Sequence, residues 1–489
     1  MRGRLLEEIT FPAQGFLPTQ SAAGPGAAWL ESQERATRGD RWSFLAWDPQ
    51  RILEWTPRGG WTSHRGTSAR DLVRDPWRGL EQALAVDATE REPEAIRQEL
   101  PPFRGGAVGY FAYELATTLE HLPALEVHDP GVPLARWSMA DVVFALDHES
   151  KRAFVCSSGK PEHGKAADRR AHERMDSARA WWKDALTREH VRHAPGRPAS
   201  LGELPPLTEG FEASLDRAEY GRRFARLHDY LVAGDLYQAN LTVSFAARRD
   251  LDSHALFRAL RAMNPAPRAA LLDGEEFSVI SASPELFLSR RGSRLVTRPI
   301  KGTRRRGKDP AEDIALAQEL TMSPKDRAEH VMIVDVHRND LGRVSRYGTV
   351  DVERPWDLES FATVHHLTST VVADEEPGQP PLEAIRAAFP AGSITGAPKV
   401  RAMEVLAELE PHARGVYTGA VGWIGDDGDF DLSVAIRTAT LRDDRVVFPA
   451  GGGIVLDSDV DEEYREVWQK ARGLWAAIES AAGLSLRHG

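Results

Sequence analysis

The sequence predicts an α+β fold. Residues 1 to about 150 read as short strand-and-turn segments with tryptophan and glycine interleaved. Amphipathic helices with recognisable starts follow near Asp216, Ser323 and Asp461. Apolar, strand-like runs at 281–289 and 432–437 lie between them.

The chain has 489 residues, 42% hydrophobic, enough for a large core and for two or three domains. A net charge of −11, from 62 basic and 73 acidic residues, argues against general nucleic-acid binding despite local arginine clusters. The single cysteine, Cys156, excludes an internal disulfide and a cysteine-rich metal site, which fits a cytoplasmic setting. The start, Met1 to Glu8, has no signal-peptide apolar run. No apolar run approaches the ~18 residues of a membrane span.

Taken in order, residues 28–32 and 41–46 read as a buried strand pair. Residues 105–114 read as a strand entered through glycines; no Lys-Ser/Thr follows, so a phosphate loop is not supported. A weak echo at 419–423 hints at two similar sheet edges. Residues 159–185 are charged and rich in helix formers, and 192–206 read as a Pro/Gly-rich linker. The chain therefore divides into a sheet-rich lobe (1–157), a charged helix with linker (158–212) and a region that holds the chemistry (213–489).

Asp216 can cap a helix, with Glu219 three residues on; Tyr220, Phe224, Leu227 and Leu231 keep helical spacing, and Gly234 ends it. Residues 235–242 alternate like a strand. Glu285 follows Pro284 inside an apolar strand pattern, and a carboxyl in such surroundings has a raised pKa and can serve as a general acid. In Pro299-Ile300-Lys301-Gly302-Thr303 a lone lysine follows a pair that favours extended backbone. Arg298, Arg304, Arg305 and Arg306 flank it and are expected to lower its pKa, which makes it a candidate nucleophile.

Ser323 is a natural N-cap, with Pro324 in the first turn, Asp326 closing a capping box and Glu329 on the same face. The last helix, about 461–478, places Glu463, Glu466 and Lys470 on one face. The pairs Asp326/Glu329 and Glu463/Glu466 could together flank one hard cation such as Mg²⁺. The loop 391–399 leads into a helix, a setting that attracts anions. Tyr417 and Arg437 fall on strand-like segments, and an arginine there favours an anion partner. Gly451-Gly452-Gly453 lets backbone amides approach a ligand. His365 and His366, adjacent on a strand, point to opposite faces, which argues against a paired-histidine metal site.

The Pro299 to Thr303 stretch resembles the Pro-Ile-Lys-Gly-Thr motif of aminodeoxychorismate synthase component I. That family belongs with the chorismate-utilising enzymes, which also include anthranilate, isochorismate and salicylate synthases. The resemblance is dense over about 214–475 and sparse before it. It implies facing antiparallel sheets wrapped by helices, with the site between lobes. It implies that chorismate and ammonia form 4-amino-4-deoxychorismate, with Mg²⁺, on the route to p-aminobenzoate and folate.

Carried over residue by residue, the resemblance makes Lys301 the nucleophile at C2, Glu285 the acid for the C4 hydroxyl, and His366 a neighbour of the ring. Ser393, Tyr417, Arg437, Gly451, Gly452, Gly453 and Lys470 match substrate contacts. Glu329 and Glu466 match direct metal ligands, and Asp326 and Glu463 match positions holding metal-bound water. Asp326 is shorter than the usual Glu. Anthranilate synthases usually carry Ala at the position of Lys301.

Gln238 matches the water-activating lysine of isochorismate and salicylate synthases, and an amide cannot act as that base. No glutamine-hydrolysing part is recognisable, so ammonia is expected from a separate glutamine amidotransferase subunit. Ser32 and Pro267 lie in segments resembling those that bind tryptophan in relatives, with Arg268 where an aromatic residue is usual. Any bound tryptophan is expected to be structural. The alternatives are anthranilate synthase component I and a catalytically idle effector-binding subunit.

Overall fold

Two large antiparallel sheets face each other across one core, and helices cover the outer side of the first. This computed structural model describes residues 4–19, 23–32, 41–66, 68–84, 99–123, 131–190, 210–361 and 364–483. The linker expected at 192–206 lies outside the described residues. Both sheets have 11 strands. Each takes strands from both sides of the charged helix, which spans Gly164–His190.

Side-chain alternation shows how the layers stack. In strand Val142–Asp147, Val143 and Ala145 enter the core between the sheets, while Val142, Phe144 and Leu146 enter the core beneath the helices. In strand Arg268–Leu272, Ala270 and Leu272 point one way and Ala269 and Leu271 the other. The first sheet is thus buried on both faces, which explains its nearly unbroken apolar runs. The charged helix Gly164–His190 docks by its apolar side: Trp182 stacks on Phe144 with ring centroids 4.8 Å apart and donates to Thr10 O at 3.0 Å. A buried ring of this size contributes roughly 1.5–3 kcal/mol.

The expected pair at 28–32 and 41–46 forms, with Trp29 opposite Leu45. The echo at 419–423 is corrected. Strands Gly106–Phe111 and Ala420–Gly425 are not edges; they pair with each other inside the second sheet, with Gly109 opposite Gly422. A Cβ on Gly109 would stand 1.9 Å from Arg136 O, so the glycine allows close strand contact.

The helix starts agree with their residues. Asp216 accepts from Glu219 N at 2.7 Å ahead of helix Arg217–Val232. Ser323 accepts from Asp326 N at 3.2 Å ahead of helix Pro324–Gly342. The last helix, Val460–Ala481, is capped by Asp459.

Several backbone spans join the sheets, and two of them meet beside the small sheet. Pro284 and Glu285 link strand Phe277–Ser283 of the first sheet to Leu286–Arg291 of the second. Residues 435–437 return the chain from Phe430–Val434 of the second sheet to Thr438–Arg442 of the first. The spans run side by side: Ala282 N donates to Arg437 O at 3.0 Å, and Val434 N donates to Glu285 O at 3.1 Å. Near them lies a small sheet of Gly396–Ala397, Gln238–Val243 and Ala450–Ile454.

Candidate active site

A cavity of about 580 Å³ opens where the two spans, the small sheet and the helices Pro324–Gly342 and Val460–Ala481 meet. Of the residues expected to hold substrate, metal or the reacting groups, all but Gly452 line it.

Lys301 reaches the cavity through a bulge. Strand Ile300–Arg305 pairs with Val364–Asp374, with Ile300 opposite Thr368 and Thr303 opposite His366. Lys301 and Gly302 therefore face Leu367 alone, and Gly302 takes a φ of 79°. An extra residue with glycine in the left-handed region re-aims its neighbour. The lysine pKa is lowered as expected, but the cause is corrected. Burial dominates, Lys470 adds to it, and Glu329, Glu285 and Glu466 oppose it. The flanking arginines are each paired with a carboxylate, although Arg304 and Arg305 reach the cavity lining. Arg298 pairs with Glu359, Arg305 with Glu312, Arg306 with Asp313 at 2.7 Å, and Arg304 with Asp326 at 3.0 Å.

Glu285 sits on one of the joining spans, 3% exposed. Burial pushes its carboxyl up to about 7 from 4.5, and a hydrogen bond from Ser393 opposes the rise. About half of it is protonated near neutrality, as a general acid requires. Ser393 lies in the loop before helix Lys399–Leu409, on the cavity wall, with its hydroxyl directed at Glu285.

Tyr417 and Arg437 do not lie on strands. Tyr417 is in a turn before strand Ala420–Gly425, and Arg437 is on the second joining span with a φ of 53°. Backbone strain of this kind gathers at functional sites. Arg437 donates to Lys470 O at 2.5 Å and lines the cavity. Burial pushes the Tyr417 hydroxyl up to about 12, so it stays a donor. His366 meets Thr303 Oγ1 at 2.9 Å, and burial brings it down to about 4, so it is neutral. His365 points the other way, to Asp313 at 3.0 Å.

Gly451 and Gly453 line the cavity, whereas Gly452 lies beneath Glu463, whose Oε2 is 3.0 Å from where a Cβ would stand. Lys470 Nζ donates to Gly451 O at 3.0 Å and pairs with Glu466 at 2.6 Å.

The four carboxylates of the two helices share one wall. Burial raises Glu329 and Glu463, and Glu466 raises both further as a like charge. Glu466 is lowered, first by Lys470. Gathered negative charge at one cavity suits a cation. Among the described residues, no three His, Cys, Asp or Glu side chains are arranged to hold an ion.

Sequence reasoning missed Thr303, Asn240 and Thr242, which also line the cavity. Asn240 and Thr242 face it from alternate positions of strand Gln238–Val243, so their period of two was the available signal. Pro267 lines a separate space of about 70 Å³ beside Trp42, Phe44 and Trp423, and Arg268 pairs there with Asp431. Ser32 is not part of that lining; its backbone N donates to Ser43 Oγ at 3.0 Å. No helix of the described residues is long and apolar enough to cross a membrane.

Comparison with known proteins agrees with this geometry. Anthranilate synthase component 1 of Thermus thermophilus is 38% identical over 99% of this chain and 98% of its own length. Aminodeoxychorismate synthase component 1 of Klebsiella aerogenes is 38% identical over 95% of this chain and 96% of its own. The crystal structure of anthranilate synthase component I from Streptococcus pneumoniae superposes with a TM-score of 0.73 at 29% identity, covering 90% of this chain and 93% of that one. The family model described as chorismate binding enzyme matches residues 28–476, and the chain belongs to that family of chorismate-utilising enzymes.

Proposed function

We propose that the chain forms 4-amino-4-deoxychorismate from chorismate and ammonia. Its relatives at 38% identity carry two different names, so overall likeness does not choose between the two reactions. The observation that carries the reading is Lys301: a buried lysine of lowered pKa, aimed into the cavity by a bulge and facing a near-neutral Glu285.

In the proposed reaction, neutral Lys301 Nζ attacks C2, the two conjugated ring double bonds shift from C1=C2 and C5=C6 to C1=C6 and C4=C5, and the C4–O bond breaks. Glu285 gives its proton to the departing hydroxyl, which leaves as water. Ammonia then attacks C4, the two double bonds shift back, and the C2–N bond breaks to release Lys301 as a neutral amine. The Glu285 carboxylate takes the proton from the new nitrogen and is restored. Arg437 and Tyr417 hold a substrate carboxylate by charge-assisted hydrogen bonds, and neutral His366 stands beside the ring.

Glu329 and Glu466 would hold Mg²⁺ directly, with Asp326 and Glu463 holding its waters. When bound, the ion would supply positive charge against a substrate carboxylate. Ammonia would come from a separate glutamine amidotransferase subunit. The one cysteine, Cys156, is buried on strand Arg152–Ser157 with its thiol pushed up to about 12 by burial, unlike a nucleophile.

The test is product analysis with chorismate, Mg²⁺ and ammonium, on wild type and Lys301→Ala. The reading expects aminodeoxychorismate from wild type and almost none from the variant, with chorismate binding retained. Anthranilate as the product, or unchanged turnover without the lysine, defeats it.

A further inference from the structure

Arg414 and Glu410 form a buried ion pair behind the cavity wall, their side chains 1% and 2% exposed. Neither lines the cavity. The guanidinium uses every one of its N–H donors. Nε and Nη2 donate to the two Glu410 oxygens at 2.9 and 2.7 Å. Nη1 donates to Ile394 O at 3.0 Å and to Thr418 Oγ1 at 3.4 Å, and Nη2 also donates to Asn240 O at 2.6 Å. Glu410 in turn accepts from Thr242 N at 3.1 Å and from Thr242 Oγ1 at 2.8 Å.

Each of these outer partners is a cavity residue. Ile394 follows Ser393, Thr418 follows Tyr417, and Asn240 and Thr242 lie on strand Gln238–Val243 of the small sheet. Thr418 takes a φ of 63°, a conformation that its surroundings must hold. The sheet-rich lobe completes the clamp. Glu114 accepts from Arg414 N at 2.5 Å and from Gly415 N at 3.0 Å, and the Tyr113 ring centre lies 4.5 Å from the guanidinium carbon. A buried ion pair adds little net stability, because desolvation offsets the attraction. A rigid plane of donors instead fixes the spacing of whatever it touches.

We propose that Arg414, held by Glu410, is the positioning residue of the substrate wall, its guanidinium plane setting the distances between the Ser393 loop, the Tyr417 turn and the small sheet. The proposal rests on the roles given above to Ser393, Tyr417 and Glu285. Arg414 acts through two neighbours: Ser393, whose hydroxyl bonds the acid Glu285, and Tyr417, which holds a substrate carboxylate. A lysine in its place keeps the charge beside Glu410. One ammonium cannot also span Ile394 O, Thr418 Oγ1 and Asn240 O, so the wall loosens while the ion pair stays. Replacing both partners by glutamine removes the charges together and leaves no unpaired ion in the interior. The two variants therefore separate spacing from charge balance.

The full chain is assayed for chorismate consumption with Mg²⁺ and ammonium, as wild type, Arg414→Lys and the double variant Glu410→Gln/Arg414→Gln. The KM for chorismate should rise about tenfold in both variants. Ser393 should slacken on Glu285, whose charged neighbour is Lys301, and move the falling limb of kcat/KM to higher pH. The Mg²⁺ concentration for half-maximal activity should stay at the wild-type value, because the pair touches neither carboxylate helix. A double variant with wild-type KM assigns the pair to charge balance. A lower kcat with unchanged KM and an unmoved limb assigns it to folding alone. Either result overturns the proposal. Following chorismate keeps the two readings apart: a wild type that makes anthranilate defeats the proposed reaction, while KM and the limb still judge Arg414. A wild type that consumes no chorismate defeats both.

Discussion

The hydroxyl of Ser393 lies 2.5 Å from a carboxylate oxygen of Glu285. This contact pulls the acid's pKa down while burial pushes it up to about 7. Removing the hydroxyl therefore raises the pKa. Glu285 acts in its protonated form, so activity falls as pH rises through that value. Ser393→Ala should move the falling limb of the kcat/KM profile to higher pH. A limb that stays or moves to lower pH removes the contact from the mechanism.

The same carboxyl bears on stability. Its folded pKa, about 7, is above the 4.5 of an ordinary glutamate, so the folded chain holds this proton more tightly. The stabilising contribution is fully present below 4.5 and is lost as pH rises through about 7. Above that range the buried charge costs about 3 kcal/mol. Glu285→Gln should therefore melt a few degrees higher than wild type at pH 8 and equally at pH 4, while losing activity. Thermal scans at both pH values check it; equal melting at pH 8 speaks against a penalised carboxylate.

Glu466 lines the cavity with Glu329 and is paired with Lys470. A neutral amide is a poor ligand for a hard cation. Glu466→Gln should raise the Mg²⁺ concentration needed for half-maximal activity by about tenfold or more. A titration curve that does not move rules out the two-helix metal site.

Tryptophan should not inhibit. The space beside Pro267 is about 70 Å³, and the Arg268–Asp431 pair lies across it. That leaves room for a water or two rather than an indole. Activity measured against added tryptophan, for wild type and Ser32→Ala, decides. Strong inhibition of wild type that is lost in the variant would falsify this and restore an effector role for Ser32.

Much of the site was legible because its parts obey local rules. Ser323, Pro324 and Asp326 announce a helix start, and that start fixes which face carries Glu329. Glu285 after Pro284 in an apolar run already implied a buried acid. What was not legible depends on the third dimension. Nothing in the alternation around Arg437 shows that the strand stops at Val434 and the chain changes sheets. The glycines at 105–109 and 419–422 looked like matching edges, because pairing between distant strands leaves no local mark. The arginines around Lys301 were misread as its electrostatic setting, since their carboxylate partners lie far along the chain or on other elements. The reach of Asn240 and Gln238 toward Gly453 is likewise a matter of strand register.

Two of the spans that join the sheets carry Glu285 and Arg437, and they are hydrogen-bonded to each other. The catalytic spacing is therefore a backbone property of the joint rather than of side-chain rotamers. Layers hinged at the site cannot slide or part without pulling Glu285 away from Arg437. Inactivation and separation of the layers then become one event. Loops at the far ends of the sheets are free to lengthen or vary, while residues 282–285 and 434–437 form a seam at which a single inserted residue would silence the enzyme before it unfolded it.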